Sequence, residues 1–259
     1  MNQPAAGAEH ERGELTDGAR PAAEGSESEA AEHVRELFSS IAPTYDRLNH
    51  LLSFGLDRRW WRRTSAAFRE ILVRPEASVL DICCGTGDLT AALLRERPAK
   101  GEPVTGLDFS REMLGLAERK YAGANVRWVE GDAMALPFPD NSFDLVTSAF
   151  GFRNLRNYAA GLAEIHRVLK PGGSIGILEC NQPDGLSGTL YDLYFHRVLP
   201  VVGGWISGER AAYEYLPASV RRFPRPQRML SLMQEAGFAN CAWDGYFLRA
   251  AGLYRGTKA

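Results

Sequence analysis

Between Ser78 and Leu178 the chain repeats one pattern, a short apolar run followed by a stretch of helical periodicity. The runs are Ser78–Ile82, Val104–Leu107, Val126–Val129, Phe143–Ser148 and Ser174–Leu178. Runs without polar alternation are buried on both faces, and strands that alternate with helices predict a parallel sheet covered on both sides. Boundary residues agree with this. Ser110 suits the N-cap of the helix after the second strand, and Pro171-Gly172-Gly173 stops a helix ending at Lys170. Upstream, a short helix runs from Ala31 to Ser39, a turn falls at Pro43, and Tyr45 to Phe68 is aromatic and basic. There Asp57 is expected to cap a helix through Trp60 and Trp61. Downstream, Pro226 opens a helix through Ala236, Gly237 stops it, and two β-like segments around Gly245 predict a terminal hairpin. No internal repeat is present.

Residues 1–32 lack the pattern. They hold eight acids and two bases, a net charge of −6, so the remainder carries +4 and the whole chain −2. With no aromatic or β-branched apolar residue, this stretch cannot offset its ordering entropy and is expected to be a disordered acidic tail. The 259 residues, 45% of them hydrophobic, suffice for one large domain with a sizeable core. The near-neutral balance offers no polycationic surface for a nucleic acid. No apolar run reaches the ~18 residues of a membrane span, and the first thirty residues hold no apolar stretch that a secretory signal would need. A cytoplasmic protein is expected. The four cysteines, two of them adjacent at Cys83-Cys84, form no metal-ligand spacing, so no metal is expected and free thiols are.

The densest chemical signal is Val79-Leu80-Asp81-Ile82-Cys83-Cys84-Gly85-Thr86-Gly87-Asp88, an apolar strand breaking into a Gly-x-Gly turn that opens a helix. Such glycines let backbone approach a ligand closely. A dinucleotide dehydrogenase would carry a third glycine where this chain has Thr90, which weakens a hydride-transfer reading. Asp108 closes the second strand, where a carboxylate can accept from both hydroxyls of a ribose. Gly131-Asp132-Ala133 then follows the third strand. Taken singly, the glycines suit an ordinary tight turn and Asp108 a helix cap. As an ordered set they resemble the class I S-adenosylmethionine-dependent methyltransferases. That resemblance implies a doubly wound α/β fold, a mostly parallel seven-stranded sheet with an antiparallel terminal strand. It implies S-adenosylmethionine as cofactor, with Asp81 and Gly85, Thr86 and Gly87 toward its methionyl part, Asp108 and Phe109 toward the ribose, and Asp132 and Ala133 toward the adenine.

Two further segments narrow the resemblance. Tyr45-Asp46-Arg47-Leu48-Asn49-His50-Leu51-Leu52-Ser53-Phe54-Gly55-Leu56-Asp57-Arg58-Arg59-Trp60 resembles the N-terminal signature of the menaquinone and ubiquinone biosynthesis C-methyltransferases. Leu48 stands where methionine is usual and Asp57 where histidine is usual. The family's second signature, Arg167-Val168-Leu169-Lys170-Pro171-Gly172-Gly173, is intact, and Phe150-Gly151-Phe152-Arg153-Asn154 matches its Phe-Gly-x-Arg-Asn motif. Ala149 takes the place of a family serine on the cofactor side. The likeness spans Val34 to the C-terminus. It implies one methyltransferase domain over 33–259, with a helical cap over 33–74 and an aromatic, lid-like insertion over about 184–224. The Cys-Cys-Gly-Thr-Gly loop looks more like the menaquinone branch, which makes demethylmenaquinol the expected acceptor and a ubiquinol precursor or another small phenol the alternative. Tyr45, Asn49, Phe150 and Tyr194 are expected to face it. A cofactor-binding scaffold without turnover is the rival from another class.

Methylating a hydroquinone carbon requires loss of a phenolic proton. For a hydroxyl with pKa about 10 this costs roughly 4 kcal/mol at pH 7, much of it within reach of general-base assistance. Arg153 and Asn154 are the first candidates for holding the ring oxygen, although Arg153 equally suits pairing with a structural acid. The proton acceptor is expected to be a water held by this pair, Asp132, or His196. Because the product's isoprenoid tail lives in a bilayer, peripheral membrane contact is expected. The candidates are Leu190–Ile206, which core packing explains equally well, and Arg58, Arg59, Arg62 and Arg63 beside Trp60 and Trp61, which also read as a solvated helix face. Relatives of this fold are commonly homodimers.

Overall fold

A computed structural model of the chain describes residues 18, 50, 53, 55–183, 215 and 218–259. Of the expected tail, helical cap and lid-like insertion, residues 1–17, 19–49, 51, 52, 54, 184–214, 216 and 217 therefore lie outside the described residues. The helix from Ala31 to Ser39, the turn at Pro43 and the apolar patch at Leu190–Ile206 fall there too.

The described elements are α1 (Asp57–Ala67), α2 (Arg69–Leu72), β1 (Val79–Ile82), α3 (Asp88–Arg95), β2 (Val104–Asp108), α4 (Arg111–Lys120), β3 (Val126–Glu130), β4 (Phe143–Ala149), a 3-10 turn (Phe152–Asn154), α5 (Tyr158–Val168), β5 (Leu169–Cys180), α6 (Pro226–Glu235), β6 (Phe238–Tyr246) and β7 (Ala251–Lys258). The sheet runs β3-β2-β1-β4-β5-β7-β6. β1 to β5 pair in parallel, and β7 lies antiparallel between β5 and β6. Winding departs in opposite directions from β1 and β4, so a crevice opens beyond their carboxyl ends, where ligands bind in doubly wound sheets.

Two apolar layers cover the sheet. Leu80, Ile82, Leu107, Val146 and Ile175 pack with α5 and α6 on one face, while Val79, Leu145, Leu178 and Leu253 pack with Phe68, Leu72 and α3 on the other. Both faces of β1 are buried throughout, including its one acid, Asp81. Each fully buried Leu or Ile contributes about 1.5–3 kcal/mol.

Three boundaries differ from expectation. Leu56, not Asp57, is the N-cap of α1; Asp57 is the first helical residue, its carboxylate accepting the Arg58 N–H at 2.7 Å and lying 3.1 Å from His50 Nδ1. α5 stops at Val168 rather than Lys170 because Leu169 already pairs with Phe143, and Pro171-Gly172-Gly173 makes an excursion within β5 before pairing resumes at Ser174. The terminal hairpin forms, but its turn falls at residues 247–250, beyond Gly245. Ser110 caps α4 as expected, its Oγ accepting from the Met113 N–H at 3.3 Å.

Candidate active site

At the end of β1, Asp81 is wholly buried. Thr90 Oγ1 donates to its Oδ2 at 2.6 Å and Thr147 Oγ1 to its Oδ1 at 2.8 Å. Burial pushes its carboxyl up to about 7 against the pull of those hydroxyls. Thr90, the residue that breaks the dehydrogenase pattern, thus ties α3 to β1, which a glycine there could not do. Each oxygen of Asp81, the acid expected on the methionyl side, is thus engaged by a threonine hydroxyl at the base of the loop.

Above it the chain turns through left-handed backbone at Cys83 (φ 51°), Gly85 (φ 55°) and Gly87 (φ 85°). Gly87 is required twice over, by its φ and because a Cβ there would stand 2.5 Å from the Trp128 ring. The Gly85 N–H donates to Asp108 Oδ2 at 2.8 Å, and the Ser110 N–H to Asp108 Oδ1 at 2.9 Å. The Cys84 N–H reaches the Leu107 carbonyl and the Gly131 N–H the Asp108 carbonyl, both at 3.0 Å. Backbone hydrogen bonds therefore draw the ends of β1, β2 and β3 into one crevice wall. Burial raises the Asp108 carboxyl to about 6, opposed by the N–H groups of Ser110, Gly85 and Phe109. Gly85 takes one oxygen and Ser110 the other, so the carboxylate is held at both ends by main-chain donors. Asp132 begins the next turn, accepting from the Met134 N–H at 2.8 Å and pairing with Arg156 at 3.3 Å, with Ala133 buried beside it. Thr86 is buried and Phe109 half-buried. Burial also drives both adjacent thiols, Cys83 and Cys84, well above the ordinary cysteine range, which leaves them protonated packing groups.

Across the crevice, β4 ends at the half-buried Ala149, and Phe150 follows in left-handed backbone (φ 56°) with its N–H on the Leu178 carbonyl at 2.9 Å. Gly151 passes so close to β1 that a Cβ would sit 2.4 Å from that of Cys83. The following turn sets Arg153 and Asn154. Arg153 is buried, and its Nη1 donates to both carboxylate oxygens of the fully buried Glu179, at 3.0 and 3.1 Å. It also donates to the Phe150 carbonyl, and its Nε to Ser219 Oγ at 3.3 Å. Of the two roles expected for Arg153, pairing with a structural acid is present here, through Nη1 on Glu179. Asn154 is half-buried, with its Oδ1 accepting from the Tyr215 hydroxyl at 2.9 Å.

Tyr45, Asn49, Tyr194 and His196 lie outside the described residues. The residues the sequence reading missed are partners of those it found: Thr147 under Asp81, Trp128 behind Gly87, Glu179 against Arg153 and Tyr215 on Asn154. Glu179 alone carried a signal, an acid closing the apolar run Ile175–Leu178.

The arrangement joins the ends of β1, β2 and β3 around a buried carboxylate and a wall of glycine backbone. A family model described as the ubiE/COQ5 methyltransferase family matches residues 26–258. The chain belongs to the ubiE/COQ5 methyltransferase family. A demethylmenaquinone methyltransferase of Thermus thermophilus is 51% identical over 206 residues, spanning 78% of this chain and 91% of its own. One from Deinococcus radiodurans is 47% identical over 238 residues, spanning 90% and 96%, and one from Lactiplantibacillus plantarum 44% over 231, spanning 87% and 96%. Solved structures show the same fold. A SAM-dependent methyltransferase of Thermotoga maritima superposes with a TM-score of 0.59 at 22% identity, covering 88% of this chain and all of that one. A Haloferax volcanii methyltransferase solved with its Trm112 activator gives 0.63 at 20% identity, covering 85% and 96%. In this ubiE/COQ5 methyltransferase the Phe150-to-Asn154 turn leaves β4 beside the loop that leaves β1.

Proposed function

We propose that this methyltransferase transfers a methyl group from S-adenosylmethionine to a ring carbon of demethylmenaquinol, giving menaquinol. The observation that carries the reading is the junction of Gly85, Asp108 and Gly131 at the carboxyl ends of β1 to β3, in a chain whose curated relatives at 44–51% identity bear the name demethylmenaquinone methyltransferase. The residues fit the cofactor. Asp108 accepts from the two ribose hydroxyls, Asp132 and Ala133 flank the adenine, Ala149 adds a small wall, and the Gly85-Thr86-Gly87 backbone leaves room for the methionyl chain. When bound, S-adenosylmethionine supplies an electrophilic methyl group on a positively charged sulfur.

The chain's own groups do the rest. Arg153 acts as a positioning residue, neutralising Glu179 and gripping the Phe150 carbonyl so that the strained turn keeps its shape. Asn154 is oriented by Tyr215, which occupies the amide oxygen and leaves the NH2 to donate to a quinol oxygen as negative charge develops there. Phe150, beside Trp60 at 5.9 Å between ring centroids, supplies an apolar wall for the ring, joined by Tyr45, Asn49 and Tyr194. A water on Asn154, Asp132 or His196 takes the phenolic proton; once the ring carbon has gained the methyl group it gives up its own hydrogen as a proton and the oxygen is reprotonated, so one proton is released per methyl group gained. Such an enzyme works in the cytoplasm against a membrane surface, as a homodimer like many of its fold. Among the described residues no helix is long and apolar enough to cross a membrane.

Calorimetric titration with S-adenosylmethionine, followed by mass spectrometry of a short-chain demethylmenaquinol for gain of one methyl group, tests the reading. Binding with product is expected. No product from folded protein at millimolar donor overturns it, and faster methylation of a ubiquinol precursor moves the enzyme to the other quinone branch.

A further inference from the structure

Three large hydrophobic side chains are exposed among the described residues, Val73, Phe247 and Leu248, the last two at 58% and 64%. Phe247 and Leu248 are neighbours at the tip of the β6–β7 turn, and with Arg249 they form three consecutive non-glycine residues in left-handed backbone, at φ 36°, 53° and 67°. Isolated exposed apolar residues are ordinary on a protein surface. Two together on a turn that holds strained backbone call for a reason, since such conformations persist where the surroundings enforce them and concentrate at working sites.

The position of the turn supplies one. β7 begins opposite the last residues of β5, with Ala251 beside Cys180 and Gly252 beside Glu179, and the Asn181 N–H donates to the Ala250 carbonyl at 2.9 Å. The turn therefore projects beyond the carboxyl edge of the sheet, the edge where the crevice opens. α1 stands against the same edge. Its Trp60 meets Phe150 at the end of β4, while Phe68, just past its last turn, lies over Gly176 in mid-strand, so its N-terminal end points toward the rim. That end carries exposed Arg58, Arg59, Arg62 and Arg63. Arg63 stacks on Tyr246 at 4.3 Å and Arg249 on Trp243 at 5.5 Å, which binds the basic flank to the hairpin itself. Among the described residues none of these five arginines has a carboxylate within ion-pair distance. An apolar tip flanked by Arg63 and Arg249, with the other arginines of α1 farther along the same rim, matches an anionic bilayer, with side chains entering the acyl boundary and guanidinium groups at the phosphates.

We propose that Phe247 and Leu248 are a lipid anchor that seats the crevice mouth on an anionic membrane, so that an acceptor with a long apolar tail passes from bilayer to enzyme without crossing water. The inference rests on the reading of the acceptor as an isoprenoid quinol. It is tested with the full chain and the Phe247→Ser/Leu248→Ser variant, by sedimentation with phosphatidylcholine vesicles with or without phosphatidylglycerol. Wild-type protein is expected to bind the phosphatidylglycerol vesicles, and the variant to bind them about tenfold more weakly. The variant should methylate a water-soluble short-chain acceptor at the wild-type rate while losing activity on a long-chain acceptor held in vesicles. Should the double variant misfold, Phe247→Trp reports instead, by a blue shift on anionic vesicles and quenching by brominated lipid. Unchanged sedimentation of the double variant, or emission from the Phe247→Trp protein that is indifferent to vesicles, overturns the anchor, as does conversion of a dimer to a monomer by the double variant, which assigns the tip to a second copy of the chain. If the tip binds vesicles but no quinol is methylated, the anchor stands and the enzymatic reading falls. If both acceptors are methylated without vesicle binding, the reverse holds.

Discussion

The two walls of the crevice are built from different materials. On the β1–β3 side, the positions of Gly85, Asp108 and Gly131 are set by main-chain N–H donors 2.8–3.0 Å from their acceptors, and the glycines let those strands approach. On the β4–β5 side, the turn after Phe150 is held by a guanidinium and a carboxylate that the fold has removed from water. A backbone wall yields gradually, since each hydrogen bond contributes about 0.5–1.5 kcal/mol net. An ion-pair wall fails abruptly, because losing one partner leaves the other charged and dry. The nucleoside side should therefore tolerate change by losing affinity, and the opposite side by losing fold.

The largest expected effect breaks the second wall. Arg153→Ala should cost about 3–5 kcal/mol in urea unfolding by stranding Glu179, and Arg153→Met combined with Glu179→Leu should restore most of it. A stable Arg153→Ala protein that binds cofactor but does not turn over would instead return Arg153 to the chemistry and erase the contrast. Next is Gly87→Ala, which meets Trp128 and an unfavourable φ together. It should lose about 1–3 kcal/mol of stability, with weaker S-adenosylmethionine binding by calorimetry, and Trp128→Leu should relieve part of the loss. Asp108→Asn should weaken cofactor binding about tenfold, or roughly 1.4 kcal/mol, because charge-assisted acceptors for the diol become a neutral amide. Its melting temperature should move little.

The most gradual effect concerns pH. Burial holds the folded Asp81 carboxyl up to about 7, while the unfolded chain releases that proton near 4. Between these values the folded state binds more protons than the unfolded one, so stability declines as pH rises from about 4 to about 7. A single such group gives a slope of roughly 1 kcal/mol per pH unit. The difference in unfolding free energy between wild type and Asp81→Asn, followed across that window, should show this slope, and a flat difference would mean that Asp81 is ionised in the folded protein.

Much of this protein is written in its local text. The five apolar runs, the Gly-x-Gly turn, Ser110 as a cap and the closing hairpin follow from periodicity and backbone preferences, which act over a few residues. The backbone wall was legible for the same reason, since Asp81, Gly85 to Gly87, Asp108 and Asp132 each stand where a strand ends. Tertiary structure decided what those residues face. Whether Arg153 meets an acceptor or an acid depends on Glu179, 26 residues away on the next strand, and whether Asp81 meets a ligand or a hydroxyl depends on Thr147 of the neighbouring strand. No local preference encodes that choice, because the energy of a buried charge is set by which groups remain once water is gone.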